Sequence, residues 1–389
     1  MTRRAALIVL DGLGIGPAHD TDAYGDTGSD TLGNTLRKVG GVDLPNLAAL
    51  GLGNIAPLPG VPAAVRPTAA WGVAEPVSAG KDSTTGHWEM TGCILERPFP
   101  TFPHGFPKDL IEAFGRETGR PVIGNVVGSG TTILDRYGEE HQKTGAWIVY
   151  TSADSVFQVA AHEGTVPLAE LYAACAVARR LCIGSTGVSR IIARPFIGRP
   201  GAWVRTGNRK DISLEPICPT LIDRLAEAGL PRLGIGKVDD LFAGRNLTST
   251  HTPTNSEAYA LIERGFRELE GGLMFVNVIE FDQSWGHRND VPGFVQGLRD
   301  LDAALPRMLA PVREEDLVIF TADHGNDPTT PSTDHAREVV PVLALGPRIR
   351  PVPLGRRRTF ADLGATIAEH LGVAPLLAGT SFLHEVMDG

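Results

Sequence analysis

Short apolar runs of strand length recur along the chain, at Ala5 to Leu10, Trp147 to Tyr150, Ile191 to Ala193, Leu273 to Val278, Leu317 to Thr321 and Val339 to Leu345. Between them lie longer segments with helical periodicity: Pro219 to Ala228, Ser256 to Leu269, Gly293 to Leu309 and Ala361 to Leu371. Alternation of this kind points to an α/β fold, with a mostly parallel sheet flanked by helices. The stretch 97–216 has a different texture. It opens with the Pro-rich segment Arg97-Pro-Phe-Pro-Thr-Phe-Pro and carries strand and helix candidates of its own, so it reads as an inserted α/β cap domain rather than a loop. The core is then expected from residues 1–96 and 217–389.

Charge narrows the range of partners. The 36 Lys and Arg against 45 Asp and Glu leave a net charge of -9, which argues against a chain that coats nucleic acid. The densest basic run, Arg356 to Arg358, reads as a solvated loop. The N-terminal Met1-Thr-Arg-Arg and the six apolar residues after it are too short for a secretory signal, and no stretch reaches the length of a membrane span. Cys93, Cys175, Cys182 and Cys218 are scattered without a Cys-x-x-Cys pair, so neither a disulfide framework nor a thiolate zinc site is expected, and a reducing cytoplasm is the default. Cys175 and Cys182, seven apart on a helical pattern, read as core.

Acids and histidines at the ends of the apolar runs carry the chemistry. Ala5 to Leu10 ends in Asp11; Leu273 to Val278 is followed by Asp282 and His287; Leu317 to Phe320 leads into Asp323 and His324; His335 precedes the run at Val339. Ligands of open α/β sheets bind in the crevice outside the carboxyl ends of the strands. Taken singly, an Asp after a strand is a helix cap and a lone His a satisfied polar residue. Taken together, three carboxylates and three imidazoles suit transition metals, and six ligands exceed what one open ion uses. Two ions about 4 Å apart would clamp the attacking and leaving oxygens of a phosphoryl transfer. Ser83, Thr84 and Thr85 beside Gly86 offer hydroxyls for a covalent phosphoenzyme, or else a Ser/Thr-rich helix cap.

Several longer segments, in order along nearly the whole chain, resemble the metal-dependent prokaryotic phosphopentomutases of the alkaline phosphatase superfamily. They include Leu10-Asp-Gly-Leu-Gly-Ile-Gly, Gly80-Lys-Asp-Ser-Thr-Thr-Gly-His-Trp-Glu, Val149-Tyr-Thr-Ser-Ala-Asp-Ser-Val, Ile192-Ala-Arg-Pro-Phe and Arg205-Thr-Gly-Asn-Arg. Asp30-Thr-Leu-Gly-Asn, Ser129-Gly-Thr with Gly138-Glu-Glu-His, Ile235-Gly-Lys, Phe281-Asp-Gln-Ser-Trp-Gly-His-Arg, Ala322-Asp-His-Gly-Asn-Asp-Pro and Thr333-Asp-His-Ala-Arg-Glu complete the set. The resemblance implies an alkaline-phosphatase-like core with a cap inserted after the nucleophile loop. It implies that Thr85 is the phosphorylated residue, that Asp11, Asp323 and His324 hold one manganese, and that Asp282, His287 and His335 hold the second. Ser152, Asp154, Arg190 and Lys237 match positions that hold the sugar phosphate, with Arg194 as the neighbouring alternative to Arg190.

The implied reaction moves a phosphoryl group between the C1 and C5 oxygens of a pentose through phospho-Thr85 and a sugar bisphosphate, which also serves as activator. The implied partners are small pentose phosphates, with no nucleic acid and no membrane. A related phosphohydrolase, or a mutase for another phosphorylated metabolite, is the alternative. The pattern departs from the family at Gly12, Glu280, Trp285, Ser332 and Ala336; none of these is a proposed ligand, and they bear on sugar specificity. His87, beside the nucleophile position, reads as a residue that orients the loop, and Trp88 as packing beneath it.

Overall fold

The computed structural model describes residues 3–152 and 155–387. In chain order its strands are β1 (Arg4–Leu10), β2 (Ala70–Ala74), β3 (Val122–Val127), β4 (Trp147–Thr151), β5 (Val156–His162), β6 (Arg190–Arg199) and β7 (Ala202–Arg205). They continue as β8 (Lys210–Ser213), β9 (Arg232–Ile235), β10 (Ser249–Thr250), β11 (Gly272–Val278), β12 (Asp316–Thr321), β13 (Val340–Leu345) and β14 (Pro353–Arg357). Two compact units result, one made of Met1–Arg97 with Pro216–Gly389 and the other of Pro98–Glu215.

The first unit is built on an eight-stranded sheet in the order β10-β9-β11-β1-β12-β13-β2-β14. Every pair from β10 to β12 is parallel, so the α/β class with a mostly parallel sheet holds. β13 runs against both its neighbours. β1 sits between β11 and β12, and all seven of its residues are buried. A strand covered on both faces needs an unbroken apolar run rather than an alternating one, which is why Ala5 to Leu10 is so legible. The helices expected near 219–228, 256–269, 293–309 and 361–371 form as Leu221–Glu227, Asn255–Glu268, Val291–Leu309 and Ala361–Leu371.

The one charge within β1 is also buried. Arg4 is 1% exposed; its guanidinium pairs with Asp316 at the start of β12 and also donates to the carbonyls of Phe266 and Leu269. It ties two strands to the end of helix Asn255–Glu268.

The second unit holds β3-β4-β5-β6-β7, with β8 pairing β6. Residue alternation along β4 feeds two cores. Trp147 and Val149 join Phe114, Phe157, Leu171 and Cys175 on one face, whereas Ile148 and Tyr150 join Ile133, Leu134 and Phe196 on the other.

Two expectations are corrected. Arg356 and Arg357 lie in the edge strand β14 rather than in a loop, pairing with Glu75 and with Asp362 and Glu385 respectively. Charged side chains on an edge guard it against pairing with other chains. Cys93 and Cys218 form a disulfide, with Cα atoms 5.6 Å apart although 125 residues separate them in sequence. Both belong to the first unit and flank the segment 98–215, so the insertion hides from the sequence a pairing that is local in space. Cys175 and Cys182 are buried free thiols, as expected, and burial raises them to about 12 and about 11. Among the described residues no helix is long and apolar enough to cross a membrane.

Two outcomes are expected. Arg4→Ala leaves Asp316 buried without its cation and should cost about 3–5 kcal/mol in equilibrium urea unfolding. Thiol titration at pH 8 should find almost no reactive sulfur in the native protein, two thiols after unfolding without reductant and four after reduction; four in the absence of reductant would contradict the Cys93–Cys218 bond.

Candidate metal centre

The three central strands deliver the acids. Asp11 follows β1 and is held by its own N–H, which donates to the Val278 carbonyl at 3.2 Å. Gly12 then turns the chain at a φ of 78°; a Cβ there would lie 3.2 Å from the Cβ atoms of both Asp282 and Asn326, so the position suits Gly on two counts. Asp282 projects from a π-helical turn, Phe281–Trp285, just after β11. Such turns admit an extra residue and recur at functional sites. Asp323 and His324 follow β12. Adjacent parallel strands in register therefore put three carboxylates together at the carboxyl ends of the strands, all buried.

The imidazoles complete two groups. Ligand atoms of Asp11, Asp282 and His324 lie within 4.8 Å of one another, as do those of Asp282, His287 and His335. Asp282 belongs to both groups. His287 Nε2 is 3.3 Å from Asp282 Oδ2, and His335 Nε2 is 3.3 Å from Asp282 Oδ1. Asp323, expected with Asp11 and His324, belongs to neither of these groups but lies about as near to His324 as Asp11 does, at 3.5 against 3.4 Å. Its Oδ2 is 3.5 Å from His324 Nε2, and its Oδ1 accepts the Gly12 N–H at 3.1 Å.

The donor set fits divalent metal. His324 Nδ1 donates to the Gly325 carbonyl at 3.0 Å and His287 Nδ1 to the Thr333 carbonyl at 2.7 Å, which turns each Nε2 toward the carboxylates. A backbone carbonyl on the remote nitrogen is the usual support of a metal-binding imidazole. Asp323 Oδ2 is buried and accepts no hydrogen bond. Burial alone would lower His324, but Asp323, Asp11 and Asp282 together push it up to about 10. Burial likewise opposes ionisation of Asp282, yet hydrogen bonds from His287 and His335 hold it well below the usual carboxylate range. The acids thus demand positive charge at this point, whether a proton or a divalent ion supplies it.

Helix Ser83–Met90 presents its first turn to the acids. Asp82 caps it, accepting the Thr85 N–H at 3.1 Å and the Thr85 hydroxyl at 2.6 Å. The hydroxyl nearest the acids is Ser83: its Oγ lies 3.1 Å from His324 Nε2, 3.4 Å from Asp11 Oδ1 and 3.5 Å from Lys237 Nζ. Thr85 lines a small cavity together with Asp323 and His324. Lys237, after β9, places its ammonium 2.7 Å from Asp11 Oδ2. Burial pulls Lys237 down, but the charge of Asp11, then that of Asp282, raises it above its ordinary value; the same ammonium holds Asp11 low against its own burial.

Residues outside the expected set hold the turns in place. Glu338 is buried and accepts from Ser29, from Thr31 through both N–H and hydroxyl, and from the Gly16 N–H. The Thr31 hydroxyl in turn accepts the Asn326 N–H at 3.0 Å, and Asn326 Nδ2 donates to Asp282 Oδ1 at 2.7 Å. Arg337 donates to the carbonyls of Pro76, Ser78 and Gly80, fixing the loop that enters helix Ser83–Met90. Glu338 and Arg337 end the segment Thr333-Asp-His-Ala-Arg-Glu, the only hint of them in the sequence.

Of the departures, Gly12 touches the acids, whereas Glu280 and Trp285 pack on neighbouring helices. Glu280 caps helix Asn255–Glu268 by accepting the Asn255 N–H at 2.6 Å. Trp285 lies on helix Val291–Leu309 where Gly293 and Gly297 make room; a Cβ on either would fall 2.4 and 2.2 Å from the indole. Of the expected sugar-phosphate residues, only Lys237 joins the acids within the first unit. In the second unit, Ser152 follows β4, Arg190 opens β6 with its guanidinium 3.7 Å from Asp211, and Arg194 donates to Gln158. Asp154 lies outside the described residues.

The profile of the Metalloenzyme superfamily matches residues 3–375. Curated relatives named phosphopentomutase include a protein of Dictyoglomus turgidum, 52% identical over 389 residues, covering 100% of this chain and 99% of that protein. Another, from Anaeromyxobacter dehalogenans, is 53% identical over 388 residues, covering 99% and 100%. Among solved structures, the PH0037 protein from Pyrococcus horikoshii aligns with a TM-score of 0.52 at 15% identity over 97% of this chain and 100% of that one, a likeness of fold alone.

Because Asp282 is shared, Asp282→Ala should remove both of about two bound divalent ions, whereas His335→Ala should leave one, as read by atomic emission on dialysed protein. Equal metal content in the two variants would refute the sharing.

Proposed function

Because the chain belongs to the metalloenzyme superfamily and, within it, to the phosphopentomutases, we propose that it interconverts ribose 1-phosphate, and 2-deoxyribose 1-phosphate, with the 5-phosphates through phospho-Thr85 and a sugar bisphosphate. The observation that carries this reading is the pair of ligand groups joined at Asp282 beside a hydroxyl-bearing helix turn. In the proposal Asp11, Asp323 and His324 hold one divalent ion, and Asp282, His287 and His335 the other, with Asp282 near enough to Asp11 and His324 to serve both ions. Mixed oxygen and nitrogen donors suit manganese. Bound there, the ions would neutralise the phosphoryl group and lower the barrier to in-line displacement.

The chain's own residues account for the rest. Phospho-Thr85 gives its phosphoryl group to the free sugar hydroxyl: a new sugar O–P bond forms, the Thr85 Oγ1–P bond breaks, and the sugar hydroxyl proton passes to the departing Thr85 oxygen. In the return step Thr85 Oγ1 attacks the other phosphate of the bisphosphate: the Oγ1–P bond re-forms, the sugar O–P bond breaks, and the proton given up by Thr85 ends on the freed sugar oxygen. Asp82 Oδ2, 2.6 Å from Thr85 Oγ1, is placed to take the Thr85 proton in that step. The N-terminal N–H groups of helix Ser83–Met90 suit a phosphate. Ser83 Oγ and the Lys237 ammonium supply further donors beside Asp11. The insert 97–216 is proposed as a cap that contributes Ser152, Asp154 and Arg190 to the sugar phosphate, and the cytoplasm as the site of action. A cap would exclude water, whose attack on phospho-Thr85 releases inorganic phosphate and makes the enzyme a phosphatase.

The test is phosphorus NMR of the manganese-loaded protein given a trace of sugar bisphosphate and ribose 1-phosphate. Ribose 5-phosphate without inorganic phosphate is the expected product; inorganic phosphate alone would replace the mutase reading with a phosphohydrolase. Thr85→Ala should abolish both phosphoenzyme and turnover, whereas Ser83→Ala should slow turnover by about 10- to 100-fold and keep Thr85 phosphorylated.

A further inference from the structure

The proposed reaction gives no task to His87, yet its imidazole is fully buried between the nucleophile turn and the acids. Phe275 of β11 stacks on its face, with ring centroids 5.6 Å apart at 28°, so only the ring nitrogens make polar contacts. Nδ1 lies 2.8 Å from the Ser83 carbonyl. A carbonyl can only accept, so Nδ1 carries the proton. The same N–H edge faces Asp323 Oδ2 at 3.2 Å, an electrostatic contact rather than a full hydrogen bond. Nε2 lies 3.3 Å from the Asn277 side-chain amide, its polar neighbour on that side.

Two neighbours show that this arrangement is built. Asn277 is the sole polar side chain in the apolar run of β11 and is fully buried, where an amide needs a partner. Gly86, next to His87, lets the helix lie directly on Asp323: a Cβ there would fall 2.2 Å from the Asp323 carbonyl oxygen. The other oxygen of the Asp323 carboxylate is held by the Gly12 N–H.

We propose that His87 is a positioning residue. Its ring, stacked on Phe275 with Nδ1 on the Ser83 carbonyl and Nε2 on Asn277, props the first turn of helix Ser83–Met90 against Asp323 and so fixes the distance between the phosphoryl-carrying hydroxyl and the acids. The carboxylate lies between the turn after β1, whose Gly12 N–H it accepts, and the nucleophile helix. The kinetic consequence rests on the phosphoryl-transfer reading; the proton on Nδ1 does not.

The test compares His87→Ala, His87→Asn and His87→Gln in the manganese-loaded full chain with ribose 1-phosphate. The Asn amide reaches the position of Nδ1 and the Gln amide that of Nε2. His87→Ala should lower kcat about 100-fold, as an ångström of misplacement does, with KM changed by no more than about threefold and metal content intact. His87→Asn should recover at least about tenfold of that loss and His87→Gln none. Gln as active as Asn, or Ala with undiminished kcat, would overturn the proposal. A nitrogen-15 spectrum of histidine-labelled protein, with the His87 signal assigned by its loss in His87→Asn, should show a protonated Nδ1. A bare Nδ1 would refute the proposed geometry even if every alanine variant failed to fold. If the unmodified protein forms no ribose 5-phosphate, the mutase reading fails and the spectrum alone decides the role of His87.

Discussion

Three buried carboxylates at the carboxyl ends of three central strands are the constraint around which the first unit is organised. Two carboxylates about 4 Å apart repel by about 4 kcal/mol at an effective dielectric of 20, so Asp11, Asp282 and Asp323 can share a site only if positive charge is built in with them. Lys237 answers Asp11 at 2.7 Å, His287 and His335 answer Asp282, and His324 stands between Asp11 and Asp323. Each of these groups comes from a different stretch of chain. The ammonium follows β9, two imidazoles follow β11 and β12, and His335 precedes β13. The sheet order, with β1 between β11 and β12, is what lets chains so far apart in sequence meet.

Electrostatics sets what must gather, and packing sets how firmly it is held. Glu338 joins four donors across three loops, and through Thr31 and Asn326 that hold extends to Asp282. Burial pushes Glu338 up to about 7 even against those donors. Arg337 does the same for the approach to helix Ser83–Met90 by satisfying three carbonyls that would otherwise be lost to water. Neither residue needs to touch a reacting atom. Each removes freedom from a loop that a reacting residue depends on, which is how a site built on loops can be as exact as one built on strands.

The central strands are legible because burial on both faces demands an unbroken apolar run, and Asp11, Asp323 and His324 are legible because they end such runs. Asp282 is legible as an acid after a strand, but not as the residue common to both groups, since that depends on a π-helical turn without a distinctive local pattern. Val122 to Val127 and Arg232 to Ile235 escape notice as strands because Gly interrupts their apolar character. Arg4 resembles the charged start of a signal but is buried against Asp316, a partner 312 residues away. Cys93 and Cys218 are unreadable as a pair for the same reason, with a whole unit lying between them. The second layer around the acids, His87, Asn277, Asn326, Arg337 and Glu338, consists of ordinary polar residues whose meaning comes only from three-dimensional neighbours.

The seating of Trp285 on Gly293 and Gly297 reaches further than its local fit suggests. The indole belongs to the turn that carries Asp282, and it occupies volume that any side chain on those two glycines would need. These three positions therefore form a single unit of inheritance. A methyl group added at 293 or 297 would displace the ring, and the displaced ring would move a carboxylate that two ligand groups share. In a library of variants, sequence drift along helix Val291–Leu309 should thus be tolerated at its solvent-facing positions and coupled to residue 285 at these two, although neither glycine approaches the chemistry.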